Sequence, residues 1–164
     1  MASDTLLRVY WHRDTFRHRP PDGAFKLPAT ELLAVDEPHP DQPARARNVR
    51  RIVKEAFASD AAFTSVPFAE RDTIERVHDP EYVSWLDSFC EDGGGRVDGT
   101  TTAANEATFD AARRSAGAAV AAVEHAIEGR EGVPYALARP SGHHAQSDAA
   151  DGFCFFNNAA IAAQ

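Results

Sequence analysis

The sequence predicts an α/β layered domain built on a mainly parallel sheet, and three observations carry that expectation. Short apolar, β-favouring runs at 6–11, 64–68 and 133–138 alternate with stretches of helical periodicity. The longest helical stretch, 106–128, carries a stripe of alanines that permits close approach to a sheet. A polar, glycine-bearing loop with two adjacent histidines then follows the last apolar run, in the place where open α/β sheets bind ligands.

Each element has its own signal. Leu6 to Trp11 is a plausible first strand, and Arg13 to Pro43 reads as a long, mostly irregular excursion rich in proline and charge. Loops of that length in compact domains are usually functional. A helix starts near Asp41 or Gln42, where Pro43 suits the first turn, and Ala46, Val49, Ile52, Val53, Ala56 and Phe57 give it one apolar face. Thr64 to Phe68 reads as a short strand confined by Pro67 to an edge or a strand end. Asp72 and Glu75 resemble a capping box ahead of Ile74 and Val77. Asp79-Pro80 opens a helix that buries Tyr82, Val83, Leu86 and Phe89 and ends at Gly93-Gly94-Gly95. The long helix, striped with Ala111, Ala118, Ala119, Ala122 and Ala126, closes at Gly129. A strand at Val133–Ala138 and a last helix at about 157–164 complete the chain.

A length of 164 residues fits one ordinary domain or a piece of a larger one, and 43% hydrophobic content is enough for a packed core. The formal charge of -8 sets the chain against nucleic-acid phosphates and anionic membranes unless a local basic patch overrides it. Arginine far outnumbers lysine, since Lys26 and Lys54 are the only lysines. Cys90 and Cys154 lie far apart with no CxxC spacing, which argues for a reducing compartment and against a disulfide scaffold. The N-terminus lacks a signal-peptide pattern, and no window approaches the roughly 18 apolar residues of a membrane span. The expectation is a soluble cytoplasmic protein.

The chemistry concentrates in Arg139-Pro140-Ser141-Gly142-His143-His144-Ala145 and in Gly152-Phe153-Cys154-Phe155-Phe156-Asn157-Asn158. Histidine is the side chain that takes and gives a proton near neutral pH. A histidine pair on a loop is more often solvated surface than a site. Here Gly142 and Gly152 let the backbone approach a ligand closely, and an aromatic wall follows the second. Phe155 and Phe156 are expected in the core. Cys154 reads as a small buried hydrophobe, because no basic residue stands beside it. Gly93-Gly94-Gly95 lacks the pattern of a phosphate loop, and no redox or nucleotide-binding fingerprint is present.

RPSGHHA followed by GFCFFNNAAIAA resembles the tandem-histidine signature of the histone deacetylase superfamily, which includes acetylpolyamine amidohydrolases and acetoin-utilisation-type deacetylases. Upstream, EPHPDQPARARNV, RVHDPEYVSWL and TFDAARRSAGAAVAAVEHAIEG resemble further family segments in family order. The resemblance implies a three-layer αβα, arginase/deacetylase-like fold and zinc-dependent hydrolysis of an N-acetylated amine, either acetyl-lysine or a small acetylated amine. It implies that His143 and His144 are the catalytic pair. By the same resemblance His144 would be the general base that later protonates the leaving amine, and His143 would stabilise developing charge. Gly152, Phe153 and Cys154 would line the substrate channel. Arg45 matches an arginine at the floor of the site, its other reading being an exposed first-turn helix residue. Asp98 is the one acidic candidate for the substrate-positioning aspartate.

Two departures are Ser141, where many relatives have proline, and Asp151, where an apolar residue is common. The family's zinc ligands and its transition-state tyrosine follow a later strand and have no counterpart before Gln164, so no residue of this chain is assigned to Zn2+. Residues 1–164 are therefore expected to be the N-terminal part of a single catalytic domain, inactive alone, whose partners include an oligomeric mate or a complementing chain. The rival is a non-catalytic remnant that binds a partner through its open sheet edge or histidine loop.

Overall fold

The computed structural model describes residues 6–24, 27–28, 31–97 and 101–164. In chain order the elements are β1 (Leu7–Trp11), β2 (Gly23–Ala24), β3 (Leu27–Pro28), α1 (Pro43–Phe57), β4 (Ala61–Ser65), α2 (Arg71–Ile74), α3 (Pro80–Glu91), β5 (Gly95–Arg96), β6 (Ala103–Ala104), α4 (Thr108–Ile127), β7 (Val133–Ala136) and α5 (Asn158–Ala162). Single 3-10 turns at Arg13–Phe16 and Ala58–Asp60 flank α1. β2 with β3 and β5 with β6 form two small antiparallel pairs.

The main sheet has the order β4-β1-β7 and is parallel throughout. Leu7 pairs with Ala61 on one side and with Val133 on the other, so β1 and β7 are parallel neighbours. Successive residues of a strand face opposite sides of a sheet. Val9 accordingly clusters with Ala46 of α1, and Tyr10 with Ala118 of α4. A helix therefore covers each face, which is the three-layer αβα arrangement. A larger core lies where α3, α4 and α5 converge, built from Val83, Leu86, Phe109, Ala116, Phe155 and Phe156. No helix among the described residues is long and apolar enough to cross a membrane.

Several sequence expectations need correction. The second sheet strand is Ala61–Ser65, not 64–68. Its last sheet contact is the Val66 N–H donating to Trp11 O at 3.1 Å, and Pro67 has no N–H with which to continue. Asp72 and Glu75 form no capping box. The N-cap of α2 is Glu70 without a side-chain bond, and Glu75 instead accepts from Arg71 Nε at 2.6 Å. α4 begins at Thr108, and Ala126 is exposed. The last helix ends at Ala162.

The apolar face of α1 is only partly used. Ala46 is buried and Val53 packs on the sheet, whereas Val49, Ile52, Ala56 and Phe57 are exposed. An arginine takes the place that an aliphatic residue would fill. Arg50 Cζ sits 4.1 Å from the centroid of Trp11 and 5.4 Å from that of Phe63, so a guanidinium covers this end of the sheet.

Candidate active site

Beyond β7 the chain runs from Leu137 through the histidine loop to α5, along the carboxyl end of the sheet. His143 and His144 are both exposed, with ring centroids 4.2 Å apart. The glycines beside them are required by contact. A Cβ on Gly142 would lie 2.6 Å from the Asn158 side chain. One on Gly152, whose φ is +52°, would lie 2.8 Å from the His144 ring. His144 thus rests directly on the Gly152 backbone.

Phe153 follows in the left-handed region at φ +69°, unusual for a residue with a side chain. Its N–H donates to Thr102 Oγ1 at 3.1 Å, and its ring meets that of His39 edge-on at 4.8 Å. His39 in turn lies 2.9 Å from Thr101 O through Nε2. Cys154 is fully buried, with its thiol 3.4 Å from Gly152 O. Burial pushes that thiol up from its ordinary value, which suits a packed wall rather than a nucleophile.

The loop is clamped from behind. Asn157 N–H donates to His78 Nε2 at 2.8 Å, so the proton of the neutral ring sits on Nδ1 and faces Ser147 O at 3.2 Å. Asp79 N–H donates to the same carbonyl at 2.9 Å. Burial holds His78 below the ordinary imidazole value, which keeps this tautomer neutral. Asn157 also caps α5 through the Ala160 N–H and reaches Ala145 O with its amide. Asn158 donates to Ser115 Oγ, which donates to Pro140 O at 2.6 Å.

Below the loop lies Arg139, 3% exposed. Its guanidinium donates to Thr15 O and His18 O, each at 2.7 Å, and to Asp41 O. Nε stands 3.1 Å from Asp41 Oδ1, an ion-pair distance without hydrogen-bond alignment. The other Asp41 oxygen faces His18 Nε2 at 3.3 Å. Burial lowers His18 from its ordinary value, against the opposing pull of Asp41.

Of the residues singled out in the sequence, His143, His144, Gly152, Phe153 and Cys154 come together here. Arg45 is exposed in the first turn of α1 and donates to Pro40 O at 2.8 Å, so the arginine buried beneath the loop is Arg139. Asp98 lies outside the described residues. Arg139, His78 and His39 were not recognised as site residues, although each sits within a quoted family segment.

The sequence pattern of the histone deacetylase domain matches residues 39–164. The chain belongs to the histone deacetylase family. A histone deacetylase 8 of Arabidopsis thaliana is 32% identical over 157 residues, covering 94% of this chain and 41% of the relative. The crystal structure of the HDA15 HD domain superposes with a TM-score of 0.80 at 28% identity, covering 98% of this chain and 42% of that one. An acetylpolyamine aminohydrolase from Burkholderia pseudomallei gives a TM-score of 0.74 at 28% identity, covering 96% and 52%. The chain thus spans about two fifths to one half of the length of these relatives. The family resemblance implies zinc, and the donor set can be tested for it. Among the described residues no three of His, Cys, Asp and Glu converge on one point, so the donors present do not fit a zinc ion, which needs three protein ligands and a water.

Proposed function

We propose that this chain carries the proton-transfer half of a deacetylase site acting on an N-acetylated amine, whether acetyl-lysine or a small acetylated amine. The observation that carries the reading is the pair of exposed imidazoles on a loop fixed from behind by His78, Asn157 and Arg139. His144, seated on Gly152, is the general base that takes a proton from the attacking water and returns it to the leaving amine. His143 donates a hydrogen bond to the charge that develops on the carbonyl oxygen. Gly152, Phe153 and Cys154 form the wall beside the acetylamide.

General acid–base catalysis contributes roughly 10²–10⁴-fold, far below what amide hydrolysis needs. We therefore expect no acetate release by the 164-residue chain from an acetyl-lysine peptide or an acetylated polyamine, with or without added zinc. Zinc-dependent turnover that disappears in His144→Ala would show that this chain holds a complete site and overturn the reading.

A further inference from the structure

The chain is acidic as a whole, with a formal charge of -8, yet one cleft has the opposite character. Where the 3-10 turn Arg13–Phe16 packs beside α1, a cleft of about 370 Å³ is lined by Arg13, Arg17, Arg19 and Arg47, with Phe16 and Asp14. All four arginines are exposed. Asp14, the single acid in the lining, has Arg114 Nε as its cationic neighbour at 3.5 Å, while His12 Nδ1 accepts the Asp14 N–H at 3.2 Å and so does not pair with its carboxylate. Among the described residues, no carboxylate stands within ion-pair distance of the four guanidinium groups.

Two other exposed arginines behave differently: Arg51 pairs with Glu55 at 2.8 Å and Arg130 pairs with Glu128. In the cleft, contact is made by an aromatic ring instead, with Arg47 Cζ 5.4 Å from the Phe16 centroid. A ring against the face of a guanidinium orients it while leaving its in-plane N–H donors available. Four such cations facing one space repel each other until a multiply charged anion enters.

We propose that this cleft binds an oligophosphate anion, the phosphate chain of a small molecule. Guanidinium forks match phosphate oxygens two at a time, and a chain of phosphates supplies enough negative charge for four arginines. The cleft volume falls within the range of small-molecule sites. A nucleic acid needs an extended basic track, and the chain's net charge of -8 argues against one. The site is independent of the acetylamide reading, and its test can fail without touching that reading.

Inorganic tripolyphosphate is the probe, titrated calorimetrically into the 164-residue chain at about 0.15 M salt, where weak surface attraction is screened. The expected result is saturable one-to-one binding. Arg13→Ala and Arg47→Ala should each weaken it about tenfold, as loss of a charge-assisted pair does. Arg17→Lys, which keeps the charge and loses the fork, should weaken it less, and Arg51→Ala should leave it unchanged. These exposed positions leave the fold intact, which circular dichroism of each variant verifies. Absence of saturable binding, equal weakening by Arg51→Ala, or tighter binding of a single-stranded oligonucleotide would each overturn the proposal.

Discussion

Arg139 and the pair His143–His144 share one loop and have opposite surroundings. The arginine is almost wholly buried, donates to three backbone carbonyls and stands at ion-pair distance from a carboxylate, while both histidines are exposed. Stability is thereby lodged beneath the loop and reactive groups above it. The anchoring side chain is buried and the imidazoles are exposed, so the surface can change chemistry without unfolding the base.

The largest effect expected from this division is at Arg139. Arg139→Met removes one partner of a buried ion pair and leaves Asp41 uncompensated, which should cost about 3–5 kcal/mol in urea unfolding. A loss below about 1 kcal/mol, the value of a surface pair, would erase the contrast with the histidines.

A smaller effect is expected with pH. His18 beneath the loop and His78 behind it are both held below the ordinary value of 6.5 by burial. Below that value the unfolded chain binds more protons than the folded one. Their contribution is therefore complete above pH 6.5 and is lost as pH falls through the lowered folded values. The slope cannot exceed about 1.4 kcal/mol per pH unit for each group. Urea midpoints at several pH values should show it, with a shallower slope in His78→Gln.

The smallest effect belongs to the pair itself. His143→Ala and His144→Ala should each shift stability by no more than about 0.5 kcal/mol, as exposed substitutions do. A destabilisation comparable to that of Arg139→Met would mean that the upper surface also holds the fold.

Much of this layout was legible beforehand. β1 and β7 announce themselves by apolar, β-favouring runs, and α3 by Asp79-Pro80 with its heptad-like apolar spacing. β4 departs from the expected 64–68 because it opens on Ala61 and Ala62, residues with little strand preference, whereas β-favouring Val66 and Phe68 lie beyond its end. Arg139 escaped because arginine is rarely buried, and no local pattern reveals that Thr15, His18 and Asp41 meet it from distant parts of the chain. His78 escaped for a similar reason. Its two partners, Ser147 and Asn157, lie far along the sequence, so the clamp exists only once the fold has formed.

The position of β1 has a consequence for how the chain reaches this state. Among the described strands of the sheet β1 is the central one, bonded to β4 on one flank and β7 on the other, and it precedes both in the chain. Its full complement of partners is absent until Val133–Ala136 has been synthesised. During elongation both Val9 and Tyr10 must wait for helices that are made later, and such non-local pairing slows folding. Until β7 arrives, the flank of β1 that it will bond stays open, and unpaired strand edges of this kind are where mispairing begins.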